Sequence, residues 1–151
     1  MTINKKLLPS KNILTAILTS NYTLNSTNSY EITPLTLKSK IGDKLSINAL
    51  GGVVIGSGVS CVKVHSNVSY NSIAAEGAKW NTIYKISDGV SYALYPCPTL
   101  ASARTAIANT GGLIPVKEGD IIYLELQGST GDVIRGGTGN YYTCLTVEVV
   151  E

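Results

Sequence analysis

Apolar residues recur along this chain with a period of two, in short runs separated by turn-forming residues. The pattern is clearest in Val116-Lys117-Glu118-Gly119-Asp120-Ile121-Ile122-Tyr123-Leu124-Glu125-Leu126. Lys117 to Asp120 reads as a turn, in which charged residues flank a glycine that takes φ > 0 without Cβ strain. A strand follows. Ile122, Leu124 and Leu126 fall on one side of it and Tyr123, Glu125 and Gln127 on the other, as a half-buried strand requires. Near the end, Tyr141 to Val150 repeats the pattern, with Thr143, Leu145, Val147 and Val149 on a shared side. A polar, Gly-rich run from Gly128 to Asn140 joins the two, which read as the closing pair of an antiparallel sandwich. Ile122, Leu124, Leu126, Leu145, Val147 and Val149 are its expected core.

The same period organises the rest. Ile13 to Leu18 is β-prone and reads as a first strand, and Asn21 to Ser29, rich in Asn, Ser and Thr, as a connector. From Tyr30 the chain becomes a succession of short strands punctuated by Pro34, Gly42-Asp43, Gly51-Gly52 and Gly56-Ser57-Gly58. In Cys61 to Tyr70, Val62, Val64, Val68 and Tyr70 share one side and Cys61, Lys63, His65, Asn67 and Ser69 the other; Ser66 interrupts the apolar side and marks a bend. Trp80 to Ile86 and Val90 to Tyr95 pair through Ser87-Asp88-Gly89, where Asp-Gly accepts positive φ. Pro96-Cys97-Pro98 is expected to end the second of them. Thr99 to Thr110 leaves two readings open, a short helix on its alanines or β and irregular structure; the surrounding strands favour the second. About eight to ten short strands at intervals of about ten residues are the signature of an all-β sandwich or jelly roll.

Composition narrows the function. At 151 residues the chain is long enough for one well-buried core, and its 44% hydrophobic and 15% charged shares argue against long disordered tracts. A net charge of +2 with scattered bases gives no electrostatic footprint for nucleic acid or a membrane surface. No apolar run approaches the length of a membrane span, and no export signal is legible at the start, so the Asn-x-Ser/Thr triplets at Asn21, Asn25 and Asn67 read as chance. Nine tyrosines and one tryptophan stand against no phenylalanine, a usage that suits rings exposed at an interface as well as a bias in residue use. Cys61, Cys97 and Cys144 have no metal-ligand spacing and only His65 to join them, so neither a zinc set nor a cofactor is expected. They read as reduced thiols, with a Cys61–Cys144 bridge the lesser alternative.

The residues that carry chemistry are few. His65 lies alone on the polar side of a strand, and Glu118 and Asp120 flank a turn whose backbone they suit as acceptors. No nucleophile–base set or carboxylate pair is legible, so the chain reads as a non-enzyme. Gly131 to Gly139 is glycine-rich but lacks the Lys-Ser/Thr of a phosphate loop and precedes a strand. As a long loop on a rigid scaffold it offers Asp132 and Arg135 as candidate ligand contacts. Tyr92 and Tyr95, beside Pro96-Cys97-Pro98, are candidate rings for stacking on a sugar. Tyr123 and Tyr142, opposite the Leu/Val side of the closing strands, are candidate subunit contacts.

The Val116–Leu124 turn-plus-strand and the terminal strand Thr143 to Val149, with weaker support from Gly51 to Tyr70 and Trp80 to Gly89, resemble the C1q/TNF-like jelly roll, especially its versions in structural proteins of tailed bacteriophages and prophages. The likeness covers about residues 30 to 151. It implies a sandwich of about ten strands that assembles into a compact homotrimer, with residues 1–29 as an attachment leader to other virion proteins and 30–151 as the head domain. The chain lacks the phenylalanines and the collagen-like Gly-x-y stalk of the animal C1q pattern, which favours the phage branch. The implied role is a non-enzymatic component of a tail, baseplate or capsid fibre, made in the bacterial cytoplasm, residing in the virion and contacting the host surface or a glycan there, without nucleic-acid binding or membrane insertion. The alternative is a bacterial carbohydrate-binding sandwich outside any virion.

Overall fold

A computed structural model describes residues 11–26, 30–75, 77–101, 107–139 and 142–151. Thirteen strands occur among them and no helix: β1 (Ile13–Ile17), β2 (Tyr22–Thr23), β3 (Tyr30–Ile32), β4 (Thr36–Ile41), β5 (Leu45–Ile47), β6 (Val53–Ile55), β7 (Cys61–Ser72), β8 (Gly77–Ser87), β9 (Val90–Ala101), β10 (Ile107–Pro115), β11 (Ile121–Gln127), β12 (Val133–Ile134) and β13 (Cys144–Val149). The excess over the expected ten lies in pieces of two or three residues such as β2, β3 and β12. All pairings are antiparallel. One sheet runs β4-β1-β13-β7-β10, with β12 and β2 continuing beyond the far end of β7; the other runs β5-β6-β11-β8-β9, with β3 sharing the free edge of β11.

The inner faces follow the alternation read from the sequence. Leu14, Ala16, Val62, Val64, Val68, Tyr70, Leu145 and Val147 meet Leu45, Val53, Ile55, Ile83, Ile122, Leu124 and Leu126 in one buried cluster, with Val149 half-buried at its rim. Gly119 takes φ 85° in the turn that feeds β11, and Asp120 closes that turn by accepting the Lys117 N–H at 3.1 Å. Asp88 and Gly89 take φ 51° and 78° in the hairpin between β8 and β9.

Three local readings change. Residues 11–26, assigned above to the leader, supply β1, which lies inside a sheet between β13 and β4, so the sandwich begins well before residue 30. Residues 1–10 lie outside the described part. Ser66 does not bend β7; it faces the core and satisfies its hydroxyl on the Thr110 carbonyl at 3.4 Å. Pro96 and Pro98 do not end β9, because β9 is an edge strand whose missing N–H donors on the outer side cost nothing to the ladder. The described parts of residues 99–110 are strand, in β9 and β10. All three cysteines are free thiols.

Candidate functional site

The six sequence-nominated residues do not gather at one place. Asp132 is wholly inside. Its carboxylate accepts the Ala74 N–H at 2.8 Å and the Ser129 N–H at 2.7 Å, and lies 2.7 Å from the equally buried Lys79 ammonium. That makes it a brace between three segments at one end of the sandwich, with no exposed surface to offer a ligand. The nearby Tyr70 hydroxyl is buried without a hydrogen-bond partner, and burial, with the Asp132 charge second, pushes its pKa well above the ordinary phenol value.

Tyr95 is a seam. It sits at φ 50°, donates its hydroxyl to the Leu113 carbonyl at 2.5 Å, and accepts the Thr110 hydroxyl on its own carbonyl at 2.8 Å. Its ring fills the space that a side chain at residue 112 would need, so Gly112 is what lets β9 close against β10. These bonds hold a strained non-glycine backbone. Tyr92 is exposed, with the Lys85 ammonium 5.5 Å from its ring centre.

Tyr123 is on the outer face of β11, as its alternation requires, but it is covered there by Gly52 and its hydroxyl accepts an Asn48 amide N–H at 2.9 Å. The ring expected at a subunit contact is thus buried by its own chain. Arg135 lies 4.0 Å over the Tyr142 ring. The Arg135 loop is tied down by Gly137 N–H to the Leu18 carbonyl at 2.9 Å, by the Lys38 ammonium to the Thr138 carbonyl at 2.6 Å, and by the Asn67 amide to the Tyr142 carbonyl at 2.6 Å. It therefore lies over one end of the outer face of the β4–β10 sheet. Ile17 and Cys144 are buried there although they alternate outward.

The other end of that face is open, and no single residue of it was nominated above for contact. Pairs in register share a face, so Ile13 and Ile41, Thr15 and Thr146, His65 and Gly111, and Lys63 and Leu113 all point outward. Ile41 and Leu113 are each 57% exposed at opposite edges, and Val150, just past β13, is 56% exposed between them. A trough of about 610 Å³ lies along the face, lined by Lys63, His65, Thr110, Gly111, Thr146 and Glu148. Thr15 and Thr146 join hydroxyls at 3.1 Å, and Glu148 lies 3.8 Å from Lys11. Among the described residues no group of three or more His, Cys, Asp or Glu side chains is placed to hold a metal ion.

Two antiparallel sheets in this order, closed along one side by Tyr95, define a jelly roll of the TNF/C1q-like type. Solved structures similar to the chain are of that kind. They include murine APRIL (TM-score 0.73, 13% identity, 93% of this chain and 99% of that one), Eiger TNF from S. frugiperda (TM-score 0.74, 7% identity, 94% of each) and the globular domain of zebrafish complement 1qA (TM-score 0.65, 10% identity, 93% and 98%). No family model and no curated protein matches the sequence. At these identities the likeness is one of fold.

Proposed function

We propose that this chain is the homotrimeric, non-enzymatic head domain of a virion fibre of a tailed phage, and that the open end of the β4–β10 face is its subunit contact. The observation that carries the assembly is the coincidence on one sheet face of a trough with exposed aliphatic edges at Ile41, Leu113 and Val150. Apolar residues so placed are uncommon on a monomer. Because trough and edge are different surfaces, their pairing is heterologous, and a heterologous contact closes into a ring when the rotation allows. The edge made by β9 and β10, with Val90, Tyr92 and Leu113 exposed, is the part of one copy that seats in the trough of the next. Tyr142, half-buried under Arg135, borders the same face; Tyr123 belongs to the other sheet and has no part in the contact. The virion role is supported by the resemblance carried by Val116 to Leu124, and receptor contact by the exposed loops of such a head.

Light scattering on the purified chain tests the assembly. The expected mass is three times 15.9 kDa, falling to one chain for Leu113→Asp. A wild-type monomer at micromolar concentration overturns the trimer. Antibodies against the chain should label phage particles, and the free trimer should compete with phage for host cells; unlabelled particles overturn the virion role. Binding on a glycan array together with unlabelled particles would instead favour the carbohydrate-binding module.

A further inference from the structure

We propose that His65 makes the assembly pH-dependent, the trimer loosening as the medium becomes acidic; this rests on the subunit contact proposed above. His65 is the only histidine of the chain and stands exposed in the trough. From its own strand, Lys63 and Asn67 point to the same side. From β13, Thr146 is directly opposite and Glu148 diagonal to it; from β10, Gly111 is directly opposite and Leu113 diagonal. Gly111 has no side chain to cover the ring, and the Thr146 hydroxyl is engaged with Thr15. Glu148 is the one acid among these neighbours; it already lies 3.8 Å from the Lys11 ammonium, and the residue opposite it in register is another cation, Lys63. A proton on His65 therefore adds positive charge where positive charge is already in excess.

In a separated chain that charge is solvated and costs little. In the trimer the aliphatic edge of a neighbour replaces the water, and the charged ring loses its solvation; Asp88, the acid beside Val90 on that edge, is already engaged by Lys117. The trimer then holds fewer protons than three free chains. By linkage, assembly is strongest above the imidazole range and weakens as pH falls through it. Three copies of His65 act together.

Mass photometry of the full chain at about pH 7.5 and about pH 5.5, on either side of the imidazole range, tests this. The concentration at which half the trimer dissociates should rise by about tenfold or more at the lower pH, and His65→Asn, uncharged at both, should show no such rise. His65→Gln serves the same purpose should the first variant misfold. A wild-type trimer equally strong at both pH values overturns the inference and leaves the trimer standing, as does a His65→Asn trimer that keeps the wild-type response. A monomer at the higher pH overturns the subunit contact and this inference with it.

Discussion

Replacing Asp132 by Ala should be among the most damaging single changes in the chain. The carboxylate and the Lys79 ammonium are 2.7 Å apart, with 0% and 1% of their side chains exposed. Without Asp132 the ammonium keeps only the Ser129 hydroxyl at 3.0 Å, and the N–H groups of Ala74 and Ser129 lose their acceptor. Stranding one partner of a buried ion pair costs about 3–5 kcal/mol. Each orphaned N–H adds about 1 kcal/mol or more. These costs overlap, because a relaxed loop admits water, so the expected loss is about 4–5 kcal/mol, or a fall in Tm of about 10–20 °C for a chain of this size. Lys79→Met in the same background removes the stranded charge and should recover about 2–3 kcal/mol, a coupling that only a direct pair produces. Urea unfolding at fixed chain concentration is the assay, since assembly contributes to apparent stability. An Asp132→Ala variant within about 1 kcal/mol of wild type, or one that Lys79→Met damages further, would refute the buried pair.

Leu124→Ala, at a site 1% exposed in the inner face of β11, should cost about 2–5 kcal/mol in the same assay. Gly112→Ala should cost about 1–3 kcal/mol, because the added Cβ runs into the Tyr95 ring; an unchanged Tm would remove Tyr95 from the seam. Glu31 accepts hydrogen bonds from the Tyr22 hydroxyl, the N–H groups of Asn25 and Ser26, and the Ser26 hydroxyl. Burial raises its pKa and these bonds more than offset that, so the net shift is below the ordinary value of 4.5, while Tyr22 is pushed up to about 12, chiefly by burial. A depressed carboxyl stabilises the fold above its ordinary pKa and loses that stabilisation as pH falls toward and through the folded value. Thermal melts across the acid range should therefore show Glu31→Gln less stable than wild type at neutral pH, with the gap closing below about pH 4.5; a constant gap would sink the assignment.

Period-two alternation determined which residues point inward. Ile122, Leu124, Leu126, Leu145 and Val147 are all in the core, and the Gly119 and Asp88-Gly89 turns fall where glycine and Asp-Gly placed them. A strand has only two faces, so local pattern suffices to choose between them. The alternation carries no information on which strands pair, and so residues 11–26 looked like a leader although β1 is an inner strand. Nor does it say what covers an outer face. Tyr123 alternates outward and is buried under Gly52, whereas Ile41 and Leu113 alternate outward and remain bare. Asp132 looked like a loop residue free to meet a ligand because its partner, Lys79, comes from another strand far along the chain. The trough has the same origin: Lys63, Gly111 and Thr146 line it together only because β7 accepts β10 on one edge and β13 on the other. Facing is a property of consecutive residues, whereas burial of charge and exposure of apolar surface depend on non-local neighbours, which tertiary packing alone supplies.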